Sequence, residues 1–190
     1  MRLFTAVDIP EEVREHLRAL LARWKPLARI NWTPVENLHI TTKFIGEWPE
    51  ARLDEMKKTL HAISPSGAFD VTVRGLGWFP PAQADSQLAQ ANFQDVRRPR
   101  VLWVGVEGGE ALLTLACATE QAVAALGVPV EERSYSPHLT LARIREAVPL
   151  DALRSAVAHV AADFGTFRAT EFFLYLSAGG KYTRLATFPL

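Results

Sequence analysis

The sequence predicts an α+β fold in which two similar lobes of mostly antiparallel sheet, with outer helices, face each other across a central cleft. Two observations carry this prediction. Strand-like and helix-like segments follow the order β-α-β-α-β and then β-α-β-α-β-β, so the two halves resemble each other. Each half also contains a strand with the pattern His-X-Thr. A closing hairpin and one alternating strand favour antiparallel sheets over a parallel α/β sheet.

Length and composition limit the class of protein. A chain of 190 residues is long enough for one two-lobed domain over 1–190. The formal net charge is zero, so a nucleic acid would have to contact a local basic patch. The single cysteine, Cys117, cannot form an internal disulfide, and we expect it to be buried in a helix. We find no signal-peptide pattern and no spanning apolar run, which predicts a cytoplasmic protein without membrane contact.

The first half predicts three strands and two helices. RLFTAVD is rich in β-formers and predicts a strand over 2–8, followed by a helix that starts near Pro10 with two glutamates in its first turn. The segment LHITTKFIG predicts a strand that Gly46 ends. Apolar residues at helical spacing predict a helix over 49–63, and FDVTVRGLGWF alternates like a half-buried strand.

The second half repeats this alternation. VLWVGVE predicts a strand, and a helix follows between glycines in GGEALLTLACATEQAVAALG. SPHLTLARI predicts the second motif strand, and LDALRSAVAHVAADF predicts a helix over 150–164. The closing strands FRATEFFLYLS and YTRLATFPL are joined by AGGK, which predicts a hairpin.

The two His-X-Thr strands carry the candidate chemistry. Side chains two positions apart on a strand share a face, which groups His39 with Thr41 and Lys43, and His138 with Thr140. Threonine hydroxyls can donate hydrogen bonds to phosphate oxygens, and imidazoles exchange protons near neutral pH. Two histidines on opposite sides of one phosphorus could therefore act as acid and base, without a metal or another cofactor.

Plainer interpretations exist for the same residues. A histidine on a half-buried strand is commonly structural, although two copies of one pattern make that less attractive. The other histidines, His16, His61 and His159, fall in predicted helices without a threonine two residues later. A zinc site built on the motif histidines lacks a cysteine pair or the H-E-X-X-H spacing.

The chain resembles the two-histidine phosphoesterases, and within them the RNA 2′,3′-cyclic phosphodiesterases, also called 2′-5′ RNA ligases. The matching segments run through the chain in the family order: RLFTAVDIPEEV, NLHITTKFIGEW, GLGWFP, RRPRVLWVGVE, SPHLTLARI and YTRLATFPL. The resemblance implies a bilobal fold and an enzyme that opens cyclic phosphate ends of RNA, tRNA fragments among them, to 2′-phosphates. It also implies reversible 2′-5′ ligation in some members. We expect a monomer.

Residue roles come with this resemblance. It implies that His39 donates a proton to the leaving 3′ oxygen and that His138 accepts one from water. It implies that Thr41 and Thr140 hold the phosphate. This chain departs from the family pattern at 82–95, fourteen extra residues between GLGWFP and RRPR. We interpret this stretch as a loop insertion, either a solvated surface loop or a lid near the cleft.

Other substrate contacts stay open. Lys43 could approach phosphate or lie in solvent, and Arg143, on the opposite predicted face, could still reach the cleft because the strand ends there. Tyr135 could stack a base. Arg97, Arg98 and Arg100 could follow an RNA backbone or form a solvated turn.

Two other functions also stay open. The chain could act on a different 2′-linked or cyclic nucleotide, or it could be a non-catalytic RNA-binding module that uses the same cleft. An RNA-binding module would not need two titratable histidines. Assays with several cyclic and 2′-5′ substrates test the first alternative. RNA affinity of a double histidine variant tests the second.

Overall fold

The computed structural model describes residues 1–63, 67–80 and 98–190, so the predicted insertion at 82–95 lies outside the described residues. The first half contains β1 (Arg2–Asp8), α1 (Glu11–Trp24), β2 (Asn31–Trp32), β3 (His39–Glu47), α2 (Leu53–His61) and β4 (Phe69–Phe79). The second half contains β5 (Val101–Glu107), α3 (Gly109–Ala124), β6 (His138–Arg143), α4 (Asp151–Ala158), β7 (Asp163–Ala169), β8 (Glu171–Ala178) and β9 (Lys181–Pro189).

The strands form two antiparallel sheets, one for each lobe. The four-stranded sheet has the order β3-β1-β8-β9, and the five-stranded sheet has the order β2-β6-β5-β4-β7. One His-X-Thr strand lies in each sheet, β3 beside β1 and β6 beside β5. The predicted bilobal α+β fold is therefore confirmed. Among the described residues, no helix is long and apolar enough to cross a membrane.

The apolar core pins both motif strands. Ile40 and Leu139, which directly follow the two motif histidines, are completely buried. Helix residues such as Leu17, Met56 and Leu112 join them in the same core. Burying a side chain of this size stabilises the fold by about 1.5–3 kcal/mol. Each motif strand is thus held by the face that points away from its histidine.

Both motif strands carry a β-bulge at the same position. Against β1, Ala6 lies opposite Thr41 and Thr5 opposite Lys43, so Thr42 is the extra residue. Against β5, Trp103 lies opposite Thr140 and Leu102 opposite Ala142, so Leu141 is the extra residue of β6. In both lobes the extra residue comes three positions after the histidine. We call these two irregularities the motif bulges.

The motif bulges reverse the alternation of side chains beyond the threonine. Strict alternation predicted that Lys43 shares the face of His39. Because of the bulge, it does not. Its side chain is buried, and its ammonium donates to a carboxylate oxygen of Glu120 in α3 at 2.6 Å and to the carbonyl of Pro129 at 2.8 Å. Phe44 lies on the open face instead, 60% exposed.

Two further predictions about helices were wrong. The helix expected over 150–164 ends at Ala158, and Asp163–Ala169 forms β7, which pairs with β4. The alanine-rich run suits a helix, but from Asp163 the chain pairs with β4, and Phe164 is buried there. Cys117 is exposed because it lies outside the buried stripe of α3.

The Lys43–Glu120 pair gives a stability prediction. Lys43→Ala leaves a carboxylate that is only 22% exposed without its cation, so we expect a loss of about 3 kcal/mol in unfolding free energy. Denaturant unfolding measures this as a lower midpoint at an unchanged slope. The control is Lys25→Ala, at an exposed lysine. Equal midpoints for both variants would contradict the prediction.

Candidate active site

Each motif histidine is the first residue of its strand and is held in the same way. Nδ1 of His39 lies 2.7 Å from the carbonyl oxygen of Asn37, and Nδ1 of His138 lies 2.8 Å from that of Ser136. A carbonyl oxygen can only accept, so Nδ1 carries the hydrogen in both rings. Nε2 of each neutral ring is therefore left free to accept a proton.

Aromatic neighbours fix the planes of the two imidazoles. His39 stacks on Phe4 with ring centroids 4.6 Å apart, and the ring of Tyr182 meets it edge-on at 5.2 Å. His138 meets Phe79 edge-on at 5.1 Å. Each ring is thus oriented by one backbone carbonyl and at least one aromatic side chain, which is the kind of support that proton transfer requires.

The surroundings lower the pKa of both histidines. Burial is the largest cause, since a ring that loses water is harder to charge, and it lowers the pKa of His39 and of His138 below 6.5. The carbonyl bonds oppose this shift. Arg14 and Arg143 lower the pKa of His39 further, whereas the carboxylate of Asp8 raises it.

The cation of Arg143 acts on both imidazoles. It lowers the pKa of His39 in one lobe and of His138 in the other, so its charge lies within electrostatic range of both rings. The motif bulge of β6 explains this position, because it returns Arg143 to the face of His138. Arg143, which alternation placed on the far face, thus lies on the same face of β6 as His138.

Tyr135 joins the two motif strands. Its hydroxyl donates to the backbone carbonyl of Thr41 at 2.9 Å, which ties the segment before β6 to β3. Burial raises the pKa of Tyr135, so the hydroxyl keeps its proton at neutral pH. The contact gives Tyr135 a structural role that the sequence pattern did not suggest.

The motif threonines lie on the histidine faces, half-buried. Within the described parts of the chain, the side-chain hydroxyls of Thr41 and Thr140 have no protein partner. Thr42, the bulge residue, differs because its hydroxyl lies 2.7 Å from that of buried Thr5. The hydroxyls of Thr41 and Thr140 are therefore available to a bound molecule.

A cavity of about 340 Å³ opens beside His39 over the four-stranded sheet. It is lined by Phe4, Asp8, Arg14, Glu36, Asn37, His39, Tyr175, Tyr182 and Arg184. The hydroxyl of Tyr175 and the guanidinium of Arg184 both bond Asp8, at 2.8 Å and 2.6 Å. Sequence reasoning missed this cavity because its walls come from the two ends of the chain, and the matches of RLFTAVD and YTRLATFPL to the family were its only signal.

The hydrogen bonds that orient the imidazoles of His39 and His138 give a spectroscopic prediction. Nitrogen-15 NMR of the histidines should find the neutral hydrogen on Nδ1 of His39 and His138, and both rings should titrate below pH 6.5. Phe4→Ala admits water to His39 and should raise its pKa, with His138 as the unchanged internal reference. Hydrogen on Nε2, or a pKa above 6.5 in the unaltered protein, would contradict this picture.

Comparison with known proteins agrees with the geometry. The family model described as LigT-like phosphoesterase matches residues 7–87 and 104–182. The RNA 2′,3′-cyclic phosphodiesterase of Methanothermobacter thermautotrophicus is 30% identical over 100% of this chain and 99% of its own length. That of Methanocaldococcus jannaschii is 31% identical over 93% of this chain and 91% of its own.

Solved structures are similar over the whole chain. The structure of TT0787 from Thermus thermophilus has a TM-score of 0.75 at 30% identity and covers 100% of this chain and 98% of that one. The structure of Escherichia coli LigT complexed with 3′-AMP has a TM-score of 0.72 at 26% identity, with 100% and 97% covered. The chain therefore belongs to the LigT-like phosphoesterases, a family of two-histidine phosphoesterases.

Proposed function

We propose that the protein hydrolyses 2′,3′-cyclic phosphate ends of RNA to 2′-phosphates by acid–base catalysis with two histidines. The observation that carries this proposal is the matched pair of imidazoles, each held through Nδ1, with no partner at Nε2 among the described residues, and both within electrostatic range of Arg143. The names of the relatives support the same reaction.

His138 is the proposed base and His39 the proposed acid. Nε2 of neutral His138 takes a proton from water as the water oxygen bonds to phosphorus. The bond between phosphorus and O3′ breaks, and Nε2–H of charged His39 gives its proton to O3′. Each proton transfer contributes about 10²–10⁴-fold in rate. Thr41, Thr140 and Arg143 stabilise the non-bridging oxygens, where negative charge builds up.

A difference between the lobes supports this assignment. Asp8 lies opposite His39 in the sheet, and its carboxylate favours the charged imidazole that an acid needs. Gly105 lies opposite His138, and a Cβ there would come within 2.5 Å of the carbonyl oxygen of Arg74. No side chain can therefore provide a carboxylate at that position beside His138, which suits a neutral base.

The cavity beside His39 fits the terminal nucleoside. O3′ belongs to the ribose that carries the cyclic phosphate, so this ribose and its base lie on the side of the acid. Phe4, Tyr175 and Tyr182 offer aromatic surfaces for stacking a base. The 3′-AMP complex of the Escherichia coli relative supports a mononucleotide-sized site. A 5′-hydroxyl that attacks phosphorus in place of water, with the P–O3′ bond breaking as before, would give a 2′-5′ linkage.

The direct test is an RNA oligonucleotide ending in a 2′,3′-cyclic phosphate, incubated with a metal chelator present. We expect a 2′-phosphate product, identified by the position of the phosphate. His39→Ala or His138→Ala should each lower turnover about 10²–10⁴-fold with unchanged circular dichroism. His61→Ala, at the end of α2, is the matched control. Turnover near that of the unaltered protein in either motif variant would contradict the mechanism.

The same assay tests Arg143. Removing its charge takes away one of the groups that stabilise the reacting phosphate, so Arg143→Gln should lower kcat/KM about 10²-fold. It should also raise the pKa of both histidines, since Arg143 lowers both. Arg168→Gln, at an arginine paired with Asp70, serves as the control. Equal kcat/KM for the two variants would refute the assigned position of Arg143.

A further inference from the structure

A groove rich in arginine lies at the end of β6 where Arg143 stands. Its volume is about 940 Å³. The charged side chains that line it are Arg98, Arg100, Arg143, Arg145, Arg154, Glu146 and Asp151. Five cations against two carboxylates make a basic surface in a chain whose formal net charge is zero. We call this feature the arginine groove.

The arginine groove brings together cations that have no carboxylate partner among the described residues. Some arginines elsewhere, such as Arg18, Arg74 and Arg168, pair with carboxylates. The five arginines of the groove are all exposed, and none makes an ion pair with a residue that the structure describes. Their charge is therefore not offset by a neighbouring carboxylate in these ranges.

The backbone holds the walls of the groove in place. The amide of Ile144 donates to the carbonyl of Arg100 at 2.8 Å, and the amide of Arg100 donates to that of Phe79 at 2.7 Å. The amide of Arg154 donates to the carbonyl of Leu150 at 2.8 Å, within the first turn of α4. Arg100 and Arg154 thus extend from hydrogen-bonded backbone, which reduces the conformational entropy lost when a ligand binds.

Arg143 belongs to both the groove and the active site. It lines the groove, and its charge reaches both motif histidines. A chain that leaves the active site past Arg143 therefore enters a row of guanidinium groups. Guanidinium forks match the oxygens of phosphate groups, and such contacts carry no base preference.

We propose that the arginine groove binds the sugar-phosphate backbone of the RNA strand whose end is in the active site. This inference rests on the proposed function and adds a substrate class to it, oligonucleotides in preference to mononucleotides. Arg98, Arg145 and Arg154 contact successive phosphates. Because these contacts are electrostatic, single-stranded DNA of equal length binds the groove as RNA does.

The test compares two triple variants with equal loss of charge. R98Q/R145Q/R154Q alters the groove, whereas R23Q/K25Q/K58Q removes three exposed cations from α1, α2 and the turn between α1 and β2. Fluorescence anisotropy measures affinity for a labelled single-stranded RNA ending in a 2′-phosphate over a range of salt. Each lost phosphate contact removes about 0.7 from the slope of log K against log salt, so the groove variant should lose about 2.

Kinetics provide the second readout. The groove variant should have a KM for the oligonucleotide raised about tenfold at moderate salt, and an unchanged KM and kcat for a nucleoside 2′,3′-cyclic phosphate. The control triple should match the unaltered protein in both. Equal salt slopes for the two triple variants would overturn the groove while leaving the proposed function standing. Groove-dependent binding without hydrolysis of either substrate would overturn the proposed function and support the groove.

Discussion

The candidate site depends on one irregularity, the extra residue that β3 and β6 each carry three positions after the histidine. Without it, strict alternation would turn Arg143 away from His138 and would place Lys43 beside His39. With it, the ammonium of Lys43 pairs with Glu120 in the interior, and Arg143 lies on the same face as His138. Burial of Thr42 and of Leu141 holds the bulges in place, since both side chains belong to the interior.

The two lobes repeat one construction but do not have the same electrostatic surroundings. Each imidazole is fixed by a carbonyl two residues earlier, so both offer Nε2. The two imidazoles differ in the residue that lies opposite them in the sheet, which is Asp8 for His39 and Gly105 for His138. A symmetric backbone thus places two imidazoles in unlike electrostatic surroundings.

The features that depend on short-range sequence patterns could be predicted from the sequence. The His-X-Thr strands, the outer helices and the bilobal α+β fold followed from period and from the repeated motif. A bulge leaves the apolar pattern almost unchanged, so the true faces of Lys43 and Arg143 could not be read from alternation. The alanine-rich segment favours a helix that continues to 164 by composition, and only pairing with β4 makes the chain a strand from Asp163 onward. The cavity beside His39 needs residues from both ends of the chain, and no single window contains them.

Completion of the first lobe by the last strands has a consequence for synthesis. β1 pairs with β8, more than 160 positions later, and β9 then supplies Tyr182 and Arg184 to the same face. On the ribosome, both motif histidines are therefore synthesised before Tyr182 and Arg184, which line the cavity beside His39. Contacts this distant along the chain form slowly. The cavity beside His39 is accordingly complete only when the final hairpin has docked.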